Sequence, residues 1–223
     1  MKGKLLTALA TVASSLLWAT GAFALPVSVD ASLTAPGIAP FTNICSGNGN
    51  CSSPTAVSVG SWSISASVSG TPPQTQGTLL SQTIDVETSG SGTIWIFANE
   101  TGLTSPLGTN NWVSSFTANL LPAGWSVLER TCLVNSGVID VCSPTLHQAT
   151  LTSIGTSGPF TDSFTTTSPY TAVEEYIITA TGTGSANLTI NLSPAAAPEP
   201  ASLALLGAGL AGLGLLRRRR TAQ

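Results

Sequence analysis

Apolar residues alternate with small polar residues along the middle of the chain, and this alternation restricts the folds that the chain can form. Within residues 57–68, Val, Trp, Ile and Ala recur at every second position on each side of a Gly-Ser pair. Successive side chains of a strand point to opposite faces, so a period of two predicts strands with one buried face. The same pattern, or a short continuous apolar run, predicts strands at 79–87, 93–98, 112–120, 125–133, 149–154, 159–165, 173–180 and 186–192.

Turn-forming residues separate these predicted strands. Gly, Pro and Asn occupy the gaps, as at 70–73, 90–92 and 122–124, and no part of residues 56–193 keeps the 3.6-residue period of a helix. Nine or ten short strands predict an all-β fold, a single β-sandwich of the immunoglobulin-like or jelly-roll kind, with a solenoid as the alternative. Residues 25–55 contain four prolines and are expected to be loop-rich, with an edge strand near 27–33.

The N-terminal residues have the three parts of a secretory signal peptide. Two lysines within the first four residues precede an apolar run at 5–18, and Ala22 and Ala24 are the small residues that signal peptidase requires. The apolar run is short for a membrane span, which favours a cleaved signal over a permanent anchor. We therefore expect a signal helix that signal peptidase removes, and a mature chain that begins near Leu25.

The C-terminal residues also form three consecutive parts. Pro198, Glu199 and Pro200 follow a Pro/Ala linker and precede an apolar stretch at 201–216, which is about 24 Å long as a helix. A hydrocarbon core is about 30 Å thick, and arginine stems extending toward the headgroups make up part of the difference. A basic cluster after this predicted transmembrane helix resists translocation and stays cytoplasmic: Arg217, Arg218, Arg219 and Arg220.

This tail resembles the PEP-CTERM sorting signal of Gram-negative bacteria through its Pro-Glu-Pro motif, its Leu/Gly/Ala-rich helix and its basic end. The resemblance covers only residues 198–223. It implies recognition by an exosortase, a membrane-embedded cysteine transpeptidase-like enzyme, followed by cleavage near the motif and transfer to the cell surface or an extracellular polymer matrix. Such proteins often accompany exopolysaccharide, which is therefore an expected partner. The alternative is a tail-anchored periplasmic protein that is never processed.

Removal of the two ends leaves an acidic body. Between residues 25 and 197, Arg130 is the single basic residue against nine acidic ones, so the formal net charge is −8. Proteins bind nucleic acid and anionic lipid surfaces through Lys and Arg, so this composition argues against both as partners of the body. Membrane association is expected only through the C-terminal helix, before processing.

The four cysteines all lie in the part predicted to be exported. Cys45 and Cys51 enclose a Gly/Asn-rich loop, and Cys132 and Cys142 enclose a predicted hairpin with its tip at 135–137. Four cysteines permit three pairings, and the two local ones are favoured because each pair brackets a turn. An oxidising compartment permits these disulfides. Zinc fits less well, because the intervening segments have five and nine residues rather than the two to four of structural zinc sites.

Few residues of the body suit catalysis. It has one histidine, His147, no lysine and no Gly-x-Ser-x-Gly motif. An enzyme would need His147 beside a carboxylate in a cleft. The carboxylate pairs at 85/87 and 174/175 are compatible with a glycosidase, with a weak calcium site and with solvent-facing acids alike. The sequence therefore predicts no catalytic residues, no metal site, no cofactor and no enzyme.

The tryptophans are the better indication of a ligand. Exposed tryptophan faces stack on sugar rings, and a sandwich that displays them would be a carbohydrate-binding module. Trp95 lies between two isoleucines and is expected in the core. Trp112 and Trp125 begin strands beside turn residues, so we expect them to be partly exposed and to be the candidate sugar-stacking residues.

These observations predict an exported, non-enzymatic protein of the cell surface or extracellular matrix, with a structural or adhesive role. A surface carbohydrate-binding module is the alternative function. The predicted segments are a signal peptide (1–24), a loop-rich segment (25–55), a β-sandwich domain (56–193), a linker with the Pro-Glu-Pro motif (194–200), a transmembrane helix (201–216) and a basic cytoplasmic tail (217–223).

Overall fold

The computed structural model describes residues 24–35, 40–71 and 74–195, which form two β-sheets packed face to face. This part of the chain contains thirteen strands: β1 (Pro26–Ser32), β2 (Thr42–Asn48), β3 (Asn50–Ser52), β4 (Val57–Val59), β5 (Trp62–Ser69), β6 (Leu79–Thr88), β7 (Gly92–Leu103), β8 (Gly108–Leu120), β9 (Ser126–Val134), β10 (Thr145–Leu151), β11 (Gly155–Thr166), β12 (Tyr170–Ala180) and β13 (Gly184–Pro194).

Sheet A has six strands in the order β10-β9-β12-β7-β1-β2. Sheet B has seven, in the order β11-β8-β13-β6-β5-β3 with β4 paired to β5. All of these pairings are antiparallel. From β6 to β9 and again from β11 to β13, the chain changes sheet at every connection. The all-β prediction is therefore confirmed.

The main core lies between the sheets and follows the period of two. Ile64, Ala66 and Val68 of β5 are buried together, and so are Ile94 and Ile96 of β7. The serines between them, Ser63, Ser65 and Ser67, are only partly buried. Burial of apolar area at about 25 cal/mol per Å² is the main favourable contribution to such a fold.

A second apolar cluster covers the outer face of sheet A. It contains Phe97 and Val173 with Cys132 and Cys142. The rings of Phe41 and Phe97 pack in a T-shaped contact at 5.8 Å between centroids. Trp95 belongs to this cluster and is partly exposed, so its predicted place in the core is wrong. The inward direction of its two isoleucine neighbours forces Trp95 outward.

Residues 25–55 are more ordered than predicted. They contribute three strands, and β1 lies between β7 and β2, so it is not the predicted edge strand. Val27, Val29 and Ala31 of β1 all point into the core. Pro26 is compatible with this position because it is the first residue of its strand.

The strand predicted at 149–154 is displaced along the chain. The observed strand β10 covers Thr145–Leu151, and Ile154 lies beyond it with 62% of its surface exposed. The apolar character of Leu151 and Ile154 suggested a longer strand, but the chain turns between them.

The predicted turn at 122–124 joins β8 to β9 and requires glycine. Gly124 has a φ of 81°, in the left-handed region that L-residues rarely adopt. A Cβ atom at this position would also lie 2.9 Å from Thr181 Oγ1. The Trp125 amide closes the turn by donating to the Pro122 carbonyl at 3.1 Å.

Candidate functional site

The C-terminal tail leaves the body from the middle of sheet B. Strand β13 is flanked by β6 and β8, and Pro194 pairs with Trp112 at its end. One residue further, the Ala195 amide donates to the Asn111 carbonyl at 2.8 Å. The predicted sorting residues Pro198, Glu199 and Pro200 lie outside the described residues, and so does the basic cluster: Arg217, Arg218, Arg219 and Arg220. Three residues, 195–197, thus separate the last strand from the Pro-Glu-Pro motif.

The predicted signal cleavage site lies directly against the body. Ala22 falls outside the described residues, whereas Ala24 is exposed. Leu25 is already part of the fold, since its amide donates to the Thr71 carbonyl at 2.9 Å and its carbonyl accepts from the Gly49 amide at 2.8 Å. The predicted cleavage site therefore lies directly before the first described residue that is hydrogen-bonded to the body.

Both predicted disulfides are confirmed. Cys45–Cys51 joins β2 of sheet A to β3 of sheet B, so it links the two sheets at one side of the body. Cys132–Cys142 ties the β9–β10 connection down onto the outer face of sheet A. Disulfides that close loops of this kind typically contribute about 2–4 kcal/mol to stability.

The expected exposure of Trp112 and Trp125 is wrong. Trp112 is 0% exposed and Trp125 is 2% exposed. Trp112 alternates in phase with Phe116, which points into the core, and its ring packs edge-on against Tyr170 at 6.1 Å between centroids. Trp125 packs similarly against Trp62 at 5.9 Å. Neither ring offers a face to a sugar, so these residues are not a stacking platform.

His147 joins the adjacent edges of the two sheets. Its Nδ1 lies 2.8 Å from Ser114 Oγ, and its Nε2 lies 3.4 Å from Asp162 Oδ2. Ser114 also shares a hydrogen bond of 2.7 Å with Thr131. Burial lowers the pKa of His147, while the negative charge of Asp162 opposes that shift. The imidazole is therefore expected to be neutral at pH 7.

Ser114, His147 and Asp162 are the residue types of a catalytic Ser-His-Asp set, but the serine is not accessible from the surface. Ser114 is 0% exposed, so the hydroxyl that would act as nucleophile does not reach the surface. Surface cavities of about 500, 390 and 250 Å³ in the described part of the chain are lined by other residues. The observed contacts suit a role in packing β10 against β8 and β11.

Three glutamates lie on a diagonal across the inward face of sheet A, and the sequence analysis does not predict this arrangement. Glu129 of β9 lies opposite Tyr176, Glu174 of β12 lies opposite Thr131, and Glu100 belongs to β7. All three glutamates are 0% exposed. We call Glu100, Glu129 and Glu174 the buried glutamates. The hint in the sequence is that the residues around 174 are apolar on both faces, as in a strand covered on both sides.

The buried glutamates have few partners. Glu174 accepts hydrogen bonds from the hydroxyl and, at 3.2 Å, the amide of Ser81 across the core, and Glu100 accepts from the Thr71 amide at 2.6 Å. Neither carboxyl oxygen of Glu129 has a hydrogen-bond partner in the described part of the chain. Burying an ionised carboxylate is costly, and a carboxyl in such a place takes up a proton instead.

Burial shifts the pKa of each of these carboxyls upward. It raises the pKa of Glu129 to about 8 and that of Glu100 to about 7, although the hydrogen bond from Thr71 opposes the second shift. Burial also raises the pKa of Glu174 well above its usual range, and the charges of the other two add to this effect. Burial therefore favours the protonated form of each of these three carboxyls.

Two further acids are buried near the outer face of sheet A. Asp140 accepts a hydrogen bond of 2.9 Å from the Asn99 amide group, and Asp30 accepts one of the same length from Asn43. Burial, reinforced by the charge of Asp30, raises the pKa of Asp140 to about 6. In the described part of the chain, no three His, Cys, Asp or Glu side chains are arranged to hold a metal ion.

The two carboxylate pairs considered in the sequence have different surroundings. Asp85 and Glu87 share the outward face of β6, and Asp85 accepts a hydrogen bond of 2.6 Å from Asn187. Glu174 and Glu175 point to opposite faces as expected, but both are buried. Glu175 forms an ion pair of 3.3 Å with Arg130. Neither pair faces a common ligand site.

The surface carries much less charge than the composition indicates. Six of the nine acidic side chains of the body are buried: Asp30, Glu100, Glu129, Asp140, Glu174 and Glu175. The remaining three are Asp85, Glu87 and Asp162, and Arg130 is partly exposed. Hydroxyl and amide side chains therefore outnumber charged ones on the exposed surface of the described residues.

No helix within residues 24–35, 40–71 and 74–195 is long and apolar enough to cross a membrane. The predicted transmembrane helix at 201–216 and almost all of the predicted signal helix fall outside these ranges.

Comparison with known proteins identifies the tail. Residues 196–220 match the family described as the PEP-CTERM protein-sorting motif. No curated protein and no solved structure matches the chain. The resemblance seen in the sequence is therefore confirmed, and the motif implies export, sorting by an exosortase and a cell-surface destination. The chain thus carries a PEP-CTERM sorting motif that begins directly after the residues that complete its central strand β13.

Proposed function

We propose that this protein is a structural or adhesive component of the cell surface or extracellular matrix and is not an enzyme. The observation that carries the proposal is the direct connection between the sorting motif and β13, the central strand of a disulfide-linked body. A tail joined in this way presents the whole body as one unit. The body itself is a β-sandwich of the immunoglobulin-like or jelly-roll kind.

The proposed route begins with export and removal of the signal helix by signal peptidase. The helix at 201–216 and the arginines after it then hold the chain in the inner membrane for a short time. An exosortase cuts near Pro198-Glu199-Pro200 and transfers the body to the surface or to the matrix, where exopolysaccharide is the expected neighbour.

A non-enzymatic role is supported by the surroundings of the chemically active groups. Ser114 beside His147 is buried, and the buried glutamates lie between the sheets. Trp112 and Trp125 are buried as well, so they do not support sugar binding. What the body does expose is hydroxyl-rich β-structure, which suits contact with hydrated polymers and with other protein surfaces.

The intact mass of the protein recovered from the cell surface or medium tests the route. We expect a chain that begins at Leu25 and ends near 197–200, because signal peptidase and the exosortase remove the two ends. Reduction is expected to add about 4 Da, since each of two disulfides takes up two hydrogens. A chain from Leu25 to Gln223 that remains in the inner membrane would show that the tail is only an anchor.

Substitution of the motif tests the same step in cells. The triple variant Pro198→Ala, Glu199→Ala, Pro200→Ala is expected to stay in the membrane fraction, with surface protein reduced at least about tenfold. Quantitative immunoblots of cell fractions provide the measurement. The control Ala195→Ser changes the linker residue that precedes the matched residues 196–220 and is expected to sort normally. Normal release of the triple variant would refute exosortase processing at this motif.

A further inference from the structure

Two aspartates come together on the outer face of sheet A, although they belong to distant parts of the chain. Asp30 lies on β1, and Asp140 lies in the β9–β10 connection, which the Cys132–Cys142 disulfide ties to this face. Their exposed fractions are 7% and 6%. The charge of Asp30 adds to the rise in the pKa of Asp140, so the two carboxyl groups are near neighbours.

Asparagine side chains hold both carboxyl groups in place. Asn99 of β7 donates to Asp140 Oδ1 at 2.9 Å, and Asn99 Oδ1 accepts from the Asp140 amide at 3.2 Å. Asn43 of β2 donates to Asp30 Oδ1 at 2.9 Å. Carboxylates that bind metal ions are commonly held by hydrogen bonds in this way. The protein therefore orients both acids by itself.

The second carboxyl oxygen of Asp30 lacks the partner that its surroundings call for. Asp30 Oδ2 is buried and has no hydrogen-bond partner in the described part of the chain. An unpaired buried charge is unfavourable, so a carboxylate in such a place needs a cation or a proton. Arg130 is the single Lys or Arg of residues 25–197, and it pairs with Glu175 at 3.3 Å. A cation for this pair of aspartates must therefore come from the solvent.

We propose that Asp30 and Asp140 bind a calcium ion between β1 and the β9–β10 connection. Two carboxylates balance the charge of one divalent cation. Calcium takes about six to eight oxygen ligands from carboxylates, carbonyls and water in a flexible geometry, whereas magnesium demands a near-ideal octahedron. Two side chains from separate elements, with water completing the coordination, suit calcium better. The inference concerns the body alone and does not depend on the proposed adhesive role.

A surface cavity of about 390 Å³ adjoins the two aspartates. Its lining includes Ile139, the residue before Asp140, and Ser28, whose hydroxyl oxygen lies 3.5 Å from the side-chain nitrogen of Asn99. Ser46 adds a second hydroxyl group to the lining. The cavity provides space for water and for entry of the ion beside the proposed site.

The sequence alone does not indicate this site. Asp30 and Asp140 lie far apart in the chain, and neither belongs to an Asp-rich calcium loop. The site also has no third acidic ligand, in keeping with the described residues, where no three His, Cys, Asp or Glu side chains are grouped for a metal ion. Weak binding is therefore expected, because the affinity of a calcium site depends on how many charged ligands it has.

Weak binding suits a protein that works outside the cell. Calcium sites of extracellular modules have dissociation constants of about 10⁻⁴–10⁻³ M. A ligand that binds only the folded chain stabilises it in proportion to its occupancy. The ion would fasten the first strand to the disulfide-closed connection, and the body would gain stability where calcium is plentiful.

Calorimetry with calcium chloride tests the site on the exported protein, with its disulfides intact and after treatment with a chelator. We expect one ion per chain and a Kd of about 10⁻⁴–10⁻³ M. Asp30→Asn and Asp140→Asn are each expected to weaken binding at least about tenfold, because each removes one of two charged ligands. Asparagine keeps an oxygen that accepts the existing hydrogen bond, and it tolerates the φ of 59° at Asp140.

Asp85→Asn is the matched control. Asp85 also accepts a hydrogen bond from an asparagine, Asn187, but it lies on the outward face of β6 in the other sheet. This variant is expected to bind calcium as the native protein does. Equal binding by the native protein and all three variants, or no binding by the native protein at about 10 mM calcium, would overturn the proposal.

Thermal unfolding separates a loss of binding from a loss of folding. Calcium is expected to raise the Tm of the native protein and of Asp85→Asn, but not that of Asp30→Asn or Asp140→Asn. Without calcium, the last two are expected to be at least as stable as the native protein, because each removes a buried charge. An equal rise in Tm for all four proteins would contradict the assignment.

Hydrogen exchange locates the ion. Calcium is expected to slow exchange at Asp140 and the neighbouring amides of the β9–β10 connection, because the ion holds that connection on sheet A. Strand β6, which carries Asp85 and Glu87, is expected to exchange at the same rate with and without calcium. Protection confined to β6 would place the ion on sheet B and would refute the inference even if the native protein binds calcium.

Discussion

Raising the pH from 5 to 8.5 is expected to lower the free energy of unfolding by on the order of 5 kcal/mol, because each pKa unit corresponds to about 1.4 kcal/mol. The folded protein holds protons on the buried glutamates that the unfolded chain releases. Burial raises the pKa of Glu100 to about 7 and that of Glu129 to about 8, from 4.5 in each case. Their contribution is complete below about pH 4.5 and is lost as the pH rises through these folded-state values. Urea denaturation at a series of pH values gives the measurement.

The titration of His147 changes the free energy of unfolding in the opposite direction, at acidic pH. Its pKa is lowered in the folded protein, so its contribution is lost as the pH falls below about 6.5. The lowered pKa of one histidine has a smaller effect on stability than the raised pKa values of the carboxyls. The stability maximum is therefore expected between about pH 5 and 6. A maximum at pH 8 would contradict the protonated state of the buried glutamates.

The substitution Glu129→Gln isolates one of these carboxyls. Glutamine keeps the shape and an uncharged polar end, so little change is expected at pH 5. At pH 8.5 the variant is expected to be more stable than the native protein by about 4 kcal/mol, because it no longer has to bury a charge. The control Glu87→Gln alters an exposed carboxylate of β6, where no charge is buried, and is expected to leave the stability at pH 8.5 nearly unchanged.

Replacement of Trp112 by alanine is expected to cost about 3–5 kcal/mol of stability, the usual range for removing a buried aromatic side chain. The indole is fully buried against Tyr170, and its loss leaves a cavity between the sheets. Thermal or urea unfolding measures the effect. If Trp112 were an exposed sugar-binding residue, the substitution would instead leave stability unchanged and reduce polysaccharide binding.

Trp95 provides the matched control. It is the same residue type on a strand of the opposite sheet, but it lies at the partly exposed outer cluster. Trp95→Ala is therefore expected to cost distinctly less than Trp112→Ala. Equal costs would show that the difference in burial between the two rings does not hold in solution.

The sequence predicted the strands because their alternation is a direct consequence of backbone geometry. The alternating stretch that contains Trp62, Ile64 and Ala66 predicts a strand with one buried face, and this stretch forms β5. The disulfides were also predictable, since short segments between cysteines favour local pairing. The tail was recognisable because its three parts are consecutive in the chain.

Other features depend on which elements become neighbours, and local sequence does not report this. Residues 27–33 predict only an edge strand, because the pairing of β1 with β7 joins residues about 70 positions apart in the chain. The turn-forming neighbours of Trp112 predict exposure, but the contact of its ring with Tyr170 of the opposite sheet cannot be predicted from them. The buried glutamates were missed because acidic residues are rarely buried without an ion pair.

The central position of β13 also determines how the body withstands force. A pull on the tail acts along the axis of β13, which is held by eight residue pairs with β6 on one side and eight with β8 on the other. Both ladders are loaded in shear, so their hydrogen bonds resist together, whereas an edge strand pulled sideways would peel away one bond at a time. A surface protein that is tethered by its last strand therefore transmits tension into the interior of a sheet, where two ladders rather than one must break.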